Sequence, residues 1–185
     1  MEVLIGKTRL SLLKGDITTQ DTEAVVNAAN SGLLGGFGVD GAIHQAGGPR
    51  IMAECKEIRV RQGGCPTGQA VITGGGLLKA RFVIHAVGPV WSGGRKGEDD
   101  LLRRAYHASL ALAWERKIRS VSFPSISTGI YHFPVERAAR IALRTVLDFL
   151  DRHAFAEVRF VLFDDATLGA YRSALTEIRQ ARGQA

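Results

Sequence analysis

The chain has 185 residues, a length that predicts one domain spanning 1–185 with a sizeable buried core. Hydrophobic residues make up 45% of the chain and charged residues 23%, which is ordinary for a soluble globular protein, and no apolar run is long enough to cross a bilayer. The formal net charge of +6 favours an anionic partner, either a polyanion or a phosphorylated ligand, without choosing between them.

The amino-terminal segment and the cysteines indicate a cytoplasmic protein without a metal. MEVLIGKTRL lacks the basic region and long apolar stretch of a signal peptide, so we expect cytoplasmic localisation and no membrane partner. Cys55 and Cys65 are the only cysteines and form no C-x-x-C pair, which favours buried or inert thiols over a disulfide framework or a zinc site. No motif requires a metal, and we expect no cofactor.

In chain order, short apolar segments alternate with longer amphipathic ones. The segments that predict β-strands are EVLI, RLSLL, EAVVNAAN, QAVITGGG, RFVIHAVGP, SVSFPSI and EVRFVLF. The segments that predict helices begin near Asp40, span 51–61 and 99–116, begin again at Pro134, and close the chain over 167–181. Alternation of this kind over most of the chain predicts an α/β sandwich with a central mixed β-sheet.

Three polar or glycine-bearing segments each follow a predicted strand. They are GDIT at 15–18, the loop at 31–41 and SISTGIYHFP at 125–134. Ligands of open α/β sheets bind beyond the carboxyl ends of the strands. We therefore expect these three segments to converge on one cleft.

The loop at 31–41 contains a dinucleotide-binding spacing in an unsuitable context. Gly36, Gly38 and Gly41 match G-x-G-x-x-G. However, the predicted helical region is followed by RQGGCPTGQ rather than by a prompt strand, and no acidic residue stands about 20 residues further on, as a Rossmann turn would require. A nicotinamide dehydrogenase is therefore disfavoured. Asp40 lies inside the glycine loop, where a carboxylate would repel phosphate. The presence of this carboxylate therefore needs another explanation.

Polar side chains next to this loop allow both a chemical and a structural interpretation. Asp40 and His44 share one face of the predicted helix at i,i+4 spacing, so the pair could position or deprotonate a water. Alternatively, Asp40 caps the helix and His44 is a satisfied, partly buried histidine. Asn27 and Asn30 end a predicted strand, where amides hydrogen-bond sugar hydroxyls or pin a turn.

The other two segments are equally open to interpretation. SISTGIY offers small residues and free backbone N–H groups ahead of a helix, which suits a diphosphate or a plain strand-to-helix turn. Asp16 could accept from an exocyclic amine or cap a short helix, and Phe163 could stack on a base or belong to the core.

Arg137, Arg140 and Arg144 recur at helical spacing, as on a solvated face, so we expect at most a weak nucleic-acid contact through the basic surface.

Six motifs, taken in order, resemble those of MacroD-type macrodomains, and in particular the bacterial O-acetyl-ADP-ribose deacetylases. The motifs are GDIT at 15–18, VNAAN at 26–30, GGFGVDGAIH at 35–44, CPTGQAVIT at 65–73, HAVGPVW at 85–91 and PSISTGIYHFP at 124–134. Together they cover nearly the whole chain and are far more specific than any one motif. The resemblance implies a three-layer α/β/α macrodomain, with a central mixed β-sheet, that binds ADP-ribose in a cleft.

The resemblance also implies roles for individual residues. The catalytic role falls on Asp40, with Asn30 near the distal ribose and His44 as a neighbour on the helix. Substrate-binding roles fall on Asp16 and Ile17 at the adenine, on Gly36, Gly38 and Val39 in the first diphosphate loop, on Ser127, Thr128, Gly129 and Ile130 in the second, on Tyr131 beside the distal ribose and on Phe163 near the adenine. The distal ribose would then lie next to Asp40, and this carboxylate need not face phosphate.

The implied activity is that of a hydrolase that deacetylates O-acetyl-ADP-ribose and removes mono-ADP-ribose from acidic protein side chains. The expected partners are ADP-ribose, its esters and mono-ADP-ribosylated proteins. A non-catalytic ADP-ribose reader and an RNA-interacting regulatory protein are the alternatives. Retention of Asn30, Asp40 and His44 favours the enzyme, because a reader needs none of this helix face.

Two positions depart from the pattern of the family. Phe37 and His132 each stand where the family has glycine. A bulky side chain tolerates positive φ poorly, so we expect Phe37 to stiffen or reshape its loop, or to cover the distal ribose. His132 is either a surface residue or an extra donor near the same sugar.

Overall fold

The computed structural model describes residues 1–183, which form a seven-stranded sheet and five α-helices. The strands are β1 Glu2–Ile5, β2 Thr8–Lys14, β3 Ala24–Ala28, β4 Ala70–Gly74, β5 Phe82–Ala86, β6 Ser120–Phe123 and β7 Glu157–Leu162. The α-helices are α1 Gly38–Gly47, α2 Pro49–Gln62, α3 Glu98–Glu115, α4 Val135–Leu150 and α5 Asp165–Ala181, and a short 3₁₀-helix, Ile17–Thr19, follows β2. Each predicted strand and helix therefore has a counterpart, displaced by a few residues at most at its ends.

The sheet is mixed, with parallel strands inside and antiparallel strands at both edges. Its order is β1-β2-β7-β6-β3-β5-β4, and the five inner strands all run parallel. Only β1 and β4 pair antiparallel with their neighbours. The carboxyl ends of the five inner strands consequently lie along one edge of the sheet, where the segments that follow them can meet.

The two faces of the sheet bury two separate hydrophobic clusters. Side chains of successive strand residues point to opposite faces, and β3 shows this directly. Val25 joins a cluster with Ile43 of α1 and Ile51 of α2. Val26 joins a larger cluster that includes Tyr106 of α3 and residues of α4 and α5. Helices therefore cover both faces, which confirms the three-layer α/β/α arrangement expected from the sequence.

The amphipathic pattern of α3 and α4 explains why they pack against the larger cluster. In α4, every third or fourth residue is buried, and Pro134 stands immediately before the helix as its N-cap residue. In α3, Leu102 and Tyr106 are fully buried. Across residues 1–183, none of the helices combines the length and hydropathy that a bilayer crossing demands.

Candidate functional site

A cleft of about 270 Å³ opens at the carboxyl edge of the sheet, between the loops that follow β3 and β6. Nine residues predicted as site residues line it: Asn30, Gly36, Gly38, Val39, Asp40, Ser127, Gly129, Ile130 and Tyr131. Phe37 and Gly88 line it as well. The two glycine-bearing loops therefore converge on one cleft, whereas GDIT at 15–18, the third segment expected there, does not line it.

The remaining predicted site residues lie outside the lining of the cleft. They are Asp16, Ile17, His44, Thr128 and Phe163. Asp16 and Phe163 follow β2 and β7, whose last residues are paired in the sheet, so both stand at the same edge as the cleft. Phe163 is 85% exposed, which excludes the interpretation as a core residue.

Asp16 and Thr128 each make local hydrogen bonds. The Asp16 carboxylate caps the 3₁₀-helix, accepting from the backbone N–H and the hydroxyl of Thr18 at 2.8 and 2.7 Å. The Thr128 hydroxyl donates to the carbonyl of Ser125 at 3.0 Å. The capping interpretation of Asp16 is thus observed, and its second carboxylate oxygen is the atom left for a ligand.

The Asp40 carboxylate is buried at the wall of the cleft and held by neighbouring side chains. Its Oδ1 accepts a hydrogen bond from Asn27 Nδ2 at 2.8 Å and lies 3.4 Å from His44 Nε2. The N-cap residue of α1 is Phe37, which makes no side-chain capping bond, so the capping interpretation of Asp40 is wrong. A Cβ atom placed on Gly36 would lie 3.5 Å from Asp40 Oδ2. The second oxygen therefore faces the glycine loop.

The glycine spacing of the first loop has a steric cause. A Cβ on Gly41 would lie 2.4 Å from the carbonyl oxygen of Gly36, so α1 packs directly on the loop backbone. Gly35 and Gly38 adopt positive φ angles of 73° and 62°. Phe37 between them has φ of −107°, an extended conformation open to any residue, so the expected strain is absent. Its side chain is 84% exposed.

Further hydrogen bonds fix the shape of the first loop. Asn30 Nδ2 donates to the Gly35 carbonyl at 2.8 Å, and Asn30 Oδ1 accepts from the Leu34 N–H at 3.1 Å, so this amide pins the turn. Arg59 of α2 donates to the carbonyl of Leu33 at 2.7 Å. Leu33 itself has a positive φ of 52°, rare for a branched side chain. The loop is thus tied to α2 independently of any ligand.

The second loop contributes a buried hydroxyl that lacks a partner. Ser127 adopts a φ of 66°, and its Oγ is buried without a hydrogen-bond partner in the described part of the chain. A Cβ on Gly88 would lie 2.2 Å from that oxygen, so only glycine leaves room for it. An unsatisfied buried hydroxyl costs about 1–3 kcal/mol. His132 is exposed, which agrees with its interpretation as a surface residue.

A buried polar network behind Asp40 was missed by the sequence analysis. Asn27 and His85 are paired residues of adjacent strands β3 and β5, and both are almost fully buried. Asn27 Nδ2 lies 3.1 Å from His85 Nδ1, and His85 Nε2 lies 2.9 Å from Thr73 Oγ1. Burial, with a smaller contribution from nearby His44, lowers the pKa of His85 to about 4. The sequence signal that could have indicated this network is the presence of two polar residues, Asn27 and His85, inside otherwise apolar strand segments.

The cysteines behave as inert thiols. Cys55 and Cys65 are free and buried, and burial raises the pKa of each thiol to about 11. Cys55, His44 and His85 bring three donor atoms within 4.8 Å of one another. This set fits a metal poorly, because His85 Nε2 is engaged with Thr73 and burial raises the pKa of the Cys55 thiol, which opposes formation of the thiolate that a metal would bind.

A larger cavity of about 760 Å³, the α3–α4 groove, lies away from these loops. It is lined by Asp99, Asp100, Arg103, His107, Ile141, Arg144, Thr145, Asp148, Phe149, Asp151, Arg152 and His153. Many of its charged groups are paired: Arg137 binds Asp99 through two hydrogen bonds of 2.8 and 2.7 Å, and Arg103 binds Asp100. The four carboxylates that line the groove are therefore all engaged in ion pairs.

Comparison with known proteins gives matches over most of the chain. A family model described as Macro domain matches residues 26–142, which include both loops of the cleft. A Macro domain-containing protein of Caldanaerobacter subterraneus is 60% identical over 172 residues, which are 93% of this chain and 98% of that protein. The O-acetyl-ADP-ribose deacetylase of Escherichia fergusonii is 52% identical over 172 residues, which are 92% of this chain and 97% of that enzyme.

A solved structure extends the likeness to three dimensions. A mutant of the Oceanobacillus iheyensis macrodomain with ADPR has a TM-score of 0.94 and 42% sequence identity to this chain. The match covers 97% of this chain and 98% of the other. Sequence and backbone thus agree over nearly the same residues.

Proposed function

This chain belongs to the Macro domain family, and from that premise we propose that its cleft binds ADP-ribose and hydrolyses ADP-ribose esters, with O-acetyl-ADP-ribose as a substrate. The observation that carries the hydrolytic proposal is the buried Asp40 carboxylate, whose Oδ1 is held by Asn27 while Oδ2 faces the cleft loop. The similarity to the deacetylase of Escherichia fergusonii supports the same reaction.

The strand order supports one orientation of the ligand along the sheet edge. Asp16 and Phe163 follow β2 and β7, the loop at 125–134 follows β6, and Asp40 lies beyond β3. From β2 to β3 is three strand spacings of about 4.8 Å, or about 14 Å in all. An extended nucleoside diphosphate sugar spans such a distance, with adenine near Phe163, the diphosphate between the loops and the distal ribose at Asp40.

The diphosphate would be held mainly by backbone N–H groups and by hydroxyls. The first loop enters α1 at Gly38, where the positive end of the helix dipole favours an anion. The unpaired Ser127 hydroxyl of the second loop can donate to a phosphate oxygen and so gain the partner it lacks. Asn30 and Tyr131, which both line the cleft, would contact the ribose hydroxyls.

In the proposed reaction, Asp40 acts as a general base. Its Oδ2 takes a proton from a water held beside the distal ribose, and the water oxygen forms a bond to the acetyl carbonyl carbon. The ester bond to the ribose oxygen then breaks, which gives acetate and ADP-ribose. His44, 3.4 Å from Oδ1, orients the carboxylate or passes on the proton that the ribose oxygen receives.

We extend the proposal to mono-ADP-ribose attached to acidic protein side chains. This linkage is also an ester of the distal ribose, so the same water can attack its carbonyl or the anomeric carbon. The exposed rim of the cleft supports this extension, because an open rim lets a large substrate reach the cleft. Phe37 and Ile130 at the rim are 84% and 60% exposed.

The test compares the protein with its Asp40→Ala variant on both ester substrates. We expect turnover of O-acetyl-ADP-ribose to fall about 100- to 10,000-fold, the usual contribution of a general base, while calorimetric ADP-ribose affinity changes little. Asp151→Ala, which removes a half-exposed carboxylate of the α3–α4 groove, is the matched control. Unchanged turnover in Asp40→Ala refutes the role. Binding without turnover in the unmodified protein selects a reader.

A further inference from the structure

We propose that His85 is a positioning residue for the hydrolytic reaction, acting on the Asp40 carboxylate through the side-chain amide of Asn27. The inference rests on the proposed function and deepens it. It is argued from a continuous chain of hydrogen bonds between four side chains. The chain runs from Thr73 in β4 through His85 in β5 and Asn27 in β3 to Asp40 in α1, and a donor and an acceptor can be assigned to each bond.

The direction of the chain starts at Thr73. Its hydroxyl donates its single hydrogen to the Gly74 carbonyl at 3.0 Å. The same oxygen lies 2.9 Å from His85 Nε2, and with its hydrogen on Gly74 the proposal assigns it as the acceptor of the Nε2–H. His85 consequently carries its hydrogen on Nε2, and its Nδ1 presents a lone pair.

The lone pair on His85 Nδ1 fixes the orientation of the Asn27 amide. Asn27 Nδ2 lies 3.1 Å from His85 Nδ1 and 2.8 Å from Asp40 Oδ1, so one NH₂ group serves two acceptors with its two hydrogens. If the amide turned over, its oxygen would face both the lone pair and the carboxylate, and both contacts would become repulsive. Only the neutral Nε2–H form of His85 thus gives Asp40 a donor.

The surroundings of His85 keep it in that neutral form. The ring is 1% exposed, and Cys55 Sγ lies 3.8 Å from Nε2. The ring of His44 lies 6.1 Å away from that of His85. Cys55 is itself a protonated thiol, because burial raises its pKa to about 11, so it supplies no negative charge to stabilise an imidazolium. The Asp40 carboxylate attracts a proton to His85, but burial outweighs that attraction and lowers the pKa of His85.

Two conservative variants separate positioning from simple strand pairing. In His85→Asn, the amide oxygen can take the place of Nδ1 and accept from Asn27, while the contact to Thr73 is lost. In His85→Gln, the longer amide can reach Thr73, while no atom remains at the Nδ1 position. Each variant removes one buried hydrogen bond, so a purely structural role predicts equal effects.

The positioning role predicts unequal effects on kcat. With O-acetyl-ADP-ribose, His85→Gln should lower kcat about 10- to 100-fold, because a misplacement of about 1 Å at a reacting group can cost about 100-fold in rate. KM and ADP-ribose affinity should stay close to those of the unmodified protein in both variants. His85→Asn should recover most of the lost kcat. Equal kcat values in the two variants, or an effect confined to KM, overturn the proposal.

A spectroscopic measurement on the unmodified protein needs neither turnover nor a variant. Nitrogen NMR of the imidazole groups should show His85 as the Nε2–H tautomer at neutral pH, with slowly exchanging Asn27 side-chain amide protons. A hydrogen on Nδ1 overturns the positioning role whatever the activity. Absence of turnover with the predicted tautomer present refutes the proposed function alone, so the two failures are distinguishable.

Discussion

The cleft and the α3–α4 groove differ in whether their polar atoms already have partners. This difference indicates a binding site better than the volumes of the two cavities do. The groove is the larger cavity, about 760 Å³ against about 270 Å³. Its carboxylates pair with arginines: Asp99 with Arg137, and Asp148 and Asp151 with Arg182. Groups satisfied in this way gain little from a further ligand, because each new contact replaces an existing one.

The cleft and the side chains next to Asp40, in contrast, keep buried polar atoms without partners. Ser127 Oγ at the cleft, and His44 Nδ1 and Asn27 Oδ1 beside Asp40, have none within residues 1–183. Ser127 also holds a positive φ, a backbone strain of the kind that concentrates at functional sites. Unsatisfied groups and strain thus indicate a binding site more reliably than cavity volume.

Among the changes that test this comparison between cleft and groove, the largest effect is expected from Gly88→Ala. The new Cβ would lie 2.2 Å from Ser127 Oγ and 2.5 Å from Ile126 Cγ2, so the second loop must shift. Overpacking of this kind costs about 1–3 kcal/mol, and we expect calorimetric ADP-ribose affinity to fall about tenfold to 100-fold. Gly169→Ala in α5, where a Cβ meets nothing within 4 Å, is the control and should leave affinity unchanged. Unaltered affinity in Gly88→Ala would show that the loop geometry is immaterial.

A second effect concerns the pH dependence of stability. Burial lowers the pKa of His85 from its ordinary value of 6.5 to about 4, so the unfolded chain binds this proton more readily than the folded one. The contribution of neutral His85 to the free energy of unfolding is fully present above pH 6.5 and is lost as the pH falls towards 4. Urea unfolding of His85→Asn should show a shallower loss over this window. The same change at His107, exposed in the groove, should preserve the slope; equal flattening in both variants would contradict the assignment.

A smaller effect is expected from Phe37→Gly. The ring is 84% exposed and its backbone is extended, so glycine can adopt the same conformation with little change in unfolding free energy. If the ring covers the distal sugar, KM for O-acetyl-ADP-ribose should rise about two- to fivefold, the equivalent of about 0.5–1 kcal/mol of lost contact. Leu4→Ala, which removes an exposed side chain from an edge strand, is the control. An unchanged KM would reject the lid interpretation of Phe37.

The smallest effect is expected in the groove itself. Asp100→Ala removes an exposed i,i+3 ion pair with Arg103. Such pairs contribute about 0.5 kcal/mol or less, so unfolding free energy, ADP-ribose affinity and turnover should all stay near their original values. A clear loss of affinity or turnover would mean that the groove communicates with the cleft.

The fold and the position of the cleft were largely predictable from sequence because both depend on local patterns. Alternating apolar segments predict the strands, and parallel strand ends explain why the loops at 31–41 and 125–134 meet. The roles of individual site residues, including Asp40 and Phe163, stay predictions. The burial of Asp40, in contrast, is observed, although its i,i+4 spacing with His44 left helix capping equally open.

The network behind Asp40 was not predictable, because it depends on contacts between distant parts of the chain. Asn27 and His85 become neighbours only through the parallel register of β3 and β5, 58 residues apart in sequence. Likewise, Gly41, the third glycine of the apparent dinucleotide motif, is required because α1 packs against the Gly36 carbonyl. The spacing of glycines in the sequence does not predict this contact. Phe37 was expected to stiffen or reshape its loop because a bulky side chain tolerates positive φ poorly, but the positive φ angles fall on Gly35 and Gly38 instead.

The tether from Arg59 to the Leu33 carbonyl has a kinetic consequence. Because α2 already holds the first loop in shape, the free protein meets its ligand with the binding surface pre-organised, and little chain entropy is lost on association. Capture should then proceed as a single encounter step whose rate follows ligand concentration linearly, without the plateau that a slow loop closure would impose. Arg59 can therefore influence the association rate of the ligand from outside the cleft.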